Sequence, residues 1–115
     1  MLIRSQDKRM IVNFDNICTV SAFPEKDSED IYVEDGTGSL MIGRYSTKAK
    51  SLKVLDMIQE AYVEYKIACT FLTGFTGHRA IVESNDICVN GFKELAEGFK
   101  KNMVFQMPED SEVEV

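Results

Sequence analysis

Residues 31–45, IYVEDGTGSLMIGRY, decide the fold. Two runs rich in β-branched and aromatic residues flank Asp35-Gly36 and Gly38. Glycines at such points supply the positive φ angles that a tight hairpin requires. The stretch therefore predicts two antiparallel strands joined by a short turn at these glycines.

Further strand patterns lie on both sides of this hairpin. Leu2-Ile3 and residues 10–12 flank the polar segment SQDKR, which predicts a turn between two short strands. Residues 17–23 alternate in polarity and predict another strand, followed by the charged loop PEKDSED. Residues 103–107 predict a closing strand, which Pro108 ends.

A helix is expected directly after the hairpin. Ser46 or Thr47 can cap its first turn. Apolar residues then recur at steps of three and four, which defines one apolar stripe: Leu52, Leu55, Ile58, Tyr62 and Tyr65. Tyr65 is the expected end, although no Pro or Gly prevents the helix from running on through Ile67 and Phe71. A second short helix is expected at 92–101.

Together these patterns predict an α+β fold. We expect an antiparallel sheet of about five to six strands, one main amphipathic helix and a second short helix near the C-terminus. Residues 1–108 should form a single domain, and residues 109–115, which are rich in acidic side chains, a flexible tail.

Composition limits the possible functions. The chain has 115 residues, 44% hydrophobic residues and a formal net charge of −6. This charge argues against a general nucleic-acid binder, which needs clustered Lys and Arg, and it permits an acidic surface that docks on a basic partner. Neither a signal peptide nor a membrane span is expected. Three cysteines without a CxxC pair favour a cytoplasmic protein.

Several segments resemble a group of short uncharacterised proteins of Gram-positive bacteria and their phages. The matching segments are IRSQDK (3–8), IVN (11–13), IGRYST (42–47), VLDMIQE (54–60) and VFQMP (104–108). The resemblance implies a sheet, one helix and a last strand that returns beside the first. It implies no activity. Residues 66–102 depart from the pattern and are interpreted as an insertion, where a specialised role would lie.

The candidate binding residues lie in this insertion. They are Phe75, His78, Arg79, Asn90, Phe92 and Lys93. Aromatic side chains beside Arg, Lys and Asn suit a pocket for a nucleobase and phosphate. They equally suit a small core and an oligomer interface, and the interface is the favoured interpretation.

Other chemistries have weaker support. Cys18, Cys69, Cys88 and His78 are zinc-ligand types without chelating spacing, and a thiol nucleophile would need His78 as its base. Residues 74–79, GFTGHR, resemble the GXXG loop of KH domains, but the loop contains no lysine. The hairpin also fits an OB-fold, for which Tyr32, Tyr45, Arg44 and Lys48 are a meagre nucleic-acid platform.

The sequence therefore favours a small non-enzymatic interaction protein of phage or mobile-element type. We expect no catalytic residue, metal or cofactor, and a homo-oligomer. Its expected role is to counter host defence by binding an effector protein or by sequestering a small nucleotide. The alternatives are an OB-like module for single-stranded nucleic acid and a housekeeping oligomeric domain.

Overall fold

The computed structural model describes residues 1–79 and 97–115, with side chains from 1–71 and 97–115. Within these residues the chain forms six strands and one long helix. The elements are β1 (Leu2–Arg4), β2 (Ile11–Asn13), β3 (Thr19–Pro24), β4 (Glu29–Glu34), β5 (Ser39–Tyr45), α1 (Lys48–Arg79) and β6 (Val104–Gln106). Residues 97–100 are also helical. The α+β class is confirmed.

The expected single sheet is wrong, because the strands form two sheets of three. The first has the order β2-β1-β6, and the second has the order β3-β4-β5. Strand β1 pairs antiparallel with β2 and parallel with β6. The closing strand therefore returns beside the first strand, as the resemblance implied.

The turn between β1 and β2 is built by its own polar side chains. Asp7 Oδ1 accepts the Ser5 hydroxyl at 2.6 Å and the Arg9 backbone N–H at 3.0 Å. Lys8 adopts a positive φ of 65°. These local bonds explain why the polar segment SQDKR forms a turn between two strands.

The hairpin β4–β5 forms as the sequence predicted. Gly36 has a φ of 92°, a conformation that favours glycine. Asp35 Oδ1 accepts the backbone N–H and the hydroxyl of Thr37 at 2.9 and 2.6 Å. The register shifts between Ile31 and Tyr32, which pair with Gly43 and Met41. Ile42 is the extra residue of this bulge.

Gln6, which follows β1, forms hydrogen bonds with β5 of the other sheet. The Gln6 backbone N–H donates to Ile42 O at 2.9 Å, and the Arg44 N–H donates to Gln6 Oε1 at 2.9 Å. Gln6 Nε2 donates to Arg44 O at 3.1 Å and to Pro108 O at 3.2 Å. The chain that follows β1 therefore seals one end of the β5 edge.

Helix α1 begins at the predicted cap. Thr47 Oγ1 accepts the Lys50 N–H at 3.2 Å, and Thr47 O accepts the Ser51 N–H at 3.1 Å. The expected end at Tyr65 is wrong, because the helix continues to Arg79. No proline interrupts it, and a glycine inside a helix costs only about 1 kcal/mol relative to alanine. The glycines at 74 and 77 therefore do not end the helix.

The C-terminal segment packs on the domain, which differs from the flexible tail expected from its acidic composition. Asp110 Oδ1 accepts the Ser46 N–H at 2.7 Å, and Lys50 Nζ donates to Asp110 O at 2.8 Å. Val113 is 5% exposed and belongs to the core. Asp110 thus holds the segment against the start of α1, through its carboxylate and its backbone carbonyl.

The core lies between the sheets, the first half of α1 and the C-terminal segment. Its buried members are Met1, Ile3, Ile31, Val33, Ile42, Tyr45, Val54, Ile58, Met107 and Val113. Tyr45 is fully buried, and its hydroxyl donates to Pro108 O at 2.8 Å. This hydrogen bond satisfies the one polar group of the Tyr45 side chain.

Candidate functional site

Three of the six sequence-predicted binding residues fall within the described backbone. Phe75, His78 and Arg79 lie in the last turns of α1, whereas Asn90, Phe92 and Lys93 lie outside the described residues. Residues 73–79 are helical. Residues 74–79 therefore do not form the loop between two helices that a KH domain requires.

The distal half of α1 carries an apolar stripe that faces solvent. Val63, Ile67 and Phe71 are spaced four residues apart, so they lie along one side of the helix. Their exposed fractions are 50%, 64% and 60%. We call these three residues the distal stripe.

A groove borders the distal stripe. It lies between α1 and residues 98–102 and has a volume of about 560 Å³. Its apolar walls are Ile67, Ala68, Phe71 and Phe99, and Glu64 and Asn102 supply polar groups. An apolar ridge and an apolar groove are therefore neighbours on the same face.

A row of aromatic rings marks where α1 leaves the sheets. Phe14 contacts Tyr62 with 4.8 Å between ring centroids, and Tyr65 lies 6.3 Å from both Tyr62 and Phe99. A hydrogen bond with the Cys69 thiol raises the pKa of Tyr65. The last large helix residue packed against the core is Tyr65, among the side chains that the structure describes. The predicted helix end thus corresponds to the end of packing against the core.

A second cavity opens between the two sheets. This cleft has a volume of about 390 Å³ and lies between β2 and the β4–β5 hairpin. Val12, Ile17, Val33 and Leu40 form its apolar part. The sequence reasoning missed it, because the cleft depends on two sheets that were expected to be one.

Polar groups surround the cleft. The Asn16 side-chain amide has no hydrogen-bond partner among the described residues, and Asn13 Oδ1 accepts the Asp15 N–H at 3.1 Å. The hydrogen bonds from Thr37 lower the pKa of Asp35, which keeps its carboxylate ionised at neutral pH. The cleft thus combines an apolar floor with amide groups and a negative charge.

Among the described residues, those considered for catalysis or zinc binding form no joint site. Cys18 is exposed on the chain before β3, and Cys69 lies on α1 beside Tyr65. Cys88 lies outside the described residues, and the His78 side chain is not among those described. Among the described residues, no group of three His, Cys, Asp or Glu side chains could hold a metal ion.

The residues considered for an OB-like platform are engaged elsewhere. Tyr45 is buried in the core, and Tyr32 donates to Glu25 Oε1 at 3.1 Å. Arg44 forms two 3.1 Å hydrogen bonds with Asp30, which lower the pKa of that buried carboxylate. Neither tyrosine nor this arginine is thus free to build a basic aromatic groove.

Within 1–79 and 97–115, the chain has no helix with both the length and the apolar character needed to cross a membrane. Comparisons with models of protein families, with curated proteins and with solved structures give no match to this chain.

Proposed function

We propose that this protein is a non-enzymatic interaction protein that assembles with copies of itself through the distal half of α1. The observation that carries this proposal is the distal stripe, Val63, Ile67 and Phe71, each at least half exposed. Large apolar side chains in a row on a soluble surface mark an interaction site more often than isolated ones do.

The groove beside the stripe favours a second copy as the partner. A two-fold interface uses the same patch on both subunits, so that patch must be complementary to itself. An exposed ridge, Val63 and Ile67, forms one rim of a groove whose other walls include Ala68 and Phe99, and this arrangement meets the requirement. The ridge of each copy would fill the groove of the other.

The charges around the stripe agree with self-association. Although the whole chain carries a net charge of −6, both signs occur along this part of α1. Lys53 and Lys66 flank the three acidic residues Asp56, Glu60 and Glu64. Two copies can therefore approach through this face without the strong repulsion that two purely acidic faces would have.

In this proposal the oligomer belongs to a phage or mobile element and counters host defence. The resemblance of the scaffold segments to short phage proteins supports the origin, and the negative charge supports docking on a basic effector surface. The spacing of four from Ile67 and Phe71 continues in the sequence to Phe75 and Arg79. Sequestration of a small nucleotide by this end of the helix is the second form of the same role.

Phage plating tests this role. The full chain is expressed in bacteria that carry a defence system, and the efficiency of plating of a sensitive phage is measured. Protection of the phage by the wild-type chain but not by Ile67→Glu supports the proposal. Ile67→Glu that is folded and still protects fully would contradict the role of the distal stripe, and failure to protect against every defence system tried would contradict the counter-defence role.

Two binding measurements distinguish docking on an effector from sequestration of a nucleotide. Docking of exposed charges on an effector must weaken as salt shortens the screening length from about 10 Å at 0.1 M to about 3 Å at 1 M. Nucleotide sequestration predicts a rise in melting temperature with the nucleotide, and this rise should disappear in Phe75→Ala, Arg79→Ala or Phe92→Ala. A salt-independent complex contradicts the first form, and an unchanged melting temperature contradicts the second.

A further inference from the structure

The cleft between the sheets is bordered by two strands that each have a single neighbouring strand within residues 1–79 and 97–115. Strand β5 is the last strand of its sheet, and β2 is the last strand of the other. The Asp35 N–H bonds to Gly38 O, so the alternation of an antiparallel pair directs the backbone groups of Ser39 and Met41 to the outer edge. These backbone groups are positioned to pair with an added strand.

Gln6 forms peptide-like hydrogen bonds with the outer edge of β5. At the other end of β5, the Gln6 backbone N–H bonds to Ile42 O, and the Gln6 side-chain amide pairs with both the N–H and the C=O of Arg44. This amide has the same donor and acceptor as a peptide group. The half of the edge next to Gln6 thus already carries peptide-like hydrogen bonds, and the half at 39–41 has none from the residues that the structure describes.

The side chains beside the open half suit an extended segment. Leu40 pairs across the hairpin with Val33, so both point to the same side of the sheet. Val33 is 2% exposed, whereas Leu40 is 49% exposed. The inner side of the sheet is therefore left uncovered at this end, next to Val12 and Ile17. An alternating strand would place its apolar side chains on this surface.

The negative charge of the cleft indicates which kind of peptide it would bind. Asp35 lines it, and Glu34 lies exposed at the neighbouring end of β4. None of the described residues that line it is Lys or Arg. We propose that the cleft binds an extended peptide with alternating apolar and basic residues, which adds as a strand beside Ser39–Met41.

This inference does not depend on the proposed oligomer. The cleft lies between the sheets, and the distal stripe lies on the exposed side of α1 from Val63 onward. The two surfaces can therefore be disrupted separately.

The experiment uses the ¹⁵N-labelled full chain and a short capped peptide that alternates valine and lysine. We expect the backbone amide resonances of Ser39 and Met41 to shift on titration, with a dissociation constant of about 1 mM or tighter. The same peptide with N-methylated backbone amides removes its strand-pairing donors and should not shift them. A peptide alternating valine and glutamate should bind at least about tenfold more weakly because of the acidic rim.

A pair of variants locates the site. Leu40→Arg adds a positive charge and bulk to the cleft and should weaken binding of the valine–lysine peptide by about tenfold or more. Phe23→Arg makes the same change in charge on β3, at a side chain that is 58% exposed, and should leave binding unchanged. Several results would overturn the inference: no shift at 39–41 up to several millimolar peptide, equal binding of the acidic or N-methylated peptide, or an equal loss in both variants. Shifts at 39–41 caused by a nucleotide and not by the peptide would overturn it too.

Discussion

The side-chain amide of Gln6 satisfies both backbone hydrogen-bonding groups of Arg44, which lies 38 residues later in the chain. The two distances are 3.1 Å from Gln6 Nε2 to Arg44 O and 2.9 Å from Arg44 N to Gln6 Oε1. Gln6 directly follows β1 of one sheet and Arg44 lies in β5 of the other, so this amide connects the two sheets.

Replacing Gln6 by alanine should therefore destabilise the whole domain. Gln6→Ala leaves the N–H of Arg44 and the carbonyls of Arg44 and Pro108 without these bonds, and we expect a loss of about 2 kcal/mol in the free energy of unfolding. Gln59→Ala, at an exposed position of α1, is the matched control and should change it by less than about 0.5 kcal/mol. Urea unfolding checks both, and equal stability of the two variants would contradict the role of Gln6.

The ion pair between Asp30 and Arg44 predicts a dependence of stability on acid. The hydrogen bonds from Arg44 lower the pKa of Asp30 below the ordinary aspartate value of 3.8. A lowered folded-state pKa contributes stability that is complete above the unfolded-state pKa and is lost as the pH falls through the folded-state value. The free energy of unfolding should therefore fall as the pH is lowered below about 4.

Asp30→Asn isolates this contribution. The carboxylate is 1% exposed, whereas Arg44 is 62% exposed, so solvent screens part of the ion pair. We expect a loss of about 2 kcal/mol at neutral pH and a shallower decrease in acid, measured by urea unfolding across pH. Asp27→Asn, in the exposed loop before β4, should retain the wild-type profile. An acid slope that is unchanged in Asp30→Asn would contradict the assignment.

The packed C-terminal segment predicts different effects for two valines. Val113 is 5% exposed and lies in the core, whereas Val115 is 81% exposed. Val113→Ala should cost about 1–2 kcal/mol of folding stability, and Val115→Ala should cost almost nothing. Thermal or urea unfolding separates the two. If both variants match the wild type, the segment does not pack as described.

Two glycines of the hairpin should respond differently to alanine. A Cβ at Gly43 would lie 2.9 Å from Met107 Cε and 3.0 Å from Tyr45 Cε2, whereas a Cβ at Gly38 meets no atom within 4 Å. The methionine end can move, but the buried tyrosine ring cannot do so cheaply, so Gly43→Ala should cost about 1–3 kcal/mol. Gly38→Ala should be close to neutral. Equal stabilities by urea unfolding would show that the β5–Met107 contact is looser than described.

Features with local causes were predicted well from the sequence. The turn at Gly36 depends on a positive φ and on Asp35, which lies next to it, and the start of α1 depends on the hydroxyl of Thr47. The division into two sheets follows from which strands pair, including β1 with the distant β6, and the sheets are linked by the contact of Gln6 with Arg44. No periodicity reveals such pairings between distant residues.

The end of α1 and the candidate site were predicted less well, because they too depend on packing between distant parts of the chain. Tyr65 ends the stripe that packs on the core among the described side chains, but the hydrogen-bonded helix continues to Arg79. The spacing of Val63, Ile67 and Phe71 could have shown that a second apolar side follows the first. The cleft could not have been inferred before the two sheets were known.

Sedimentation equilibrium of the full chain tests the central claim most directly. The distal stripe predicts a homo-oligomer at micromolar concentration. Ile67→Glu should convert it to a monomer that is still folded, because Ile67 is 64% exposed, and its stability should lose the dependence on protein concentration that association gives the wild type. Phe23→Glu, at an exposed apolar residue of β3, should leave the oligomer intact. A wild-type chain that is monomeric at high concentration, or an oligomer that Ile67→Glu does not weaken, would contradict the claim.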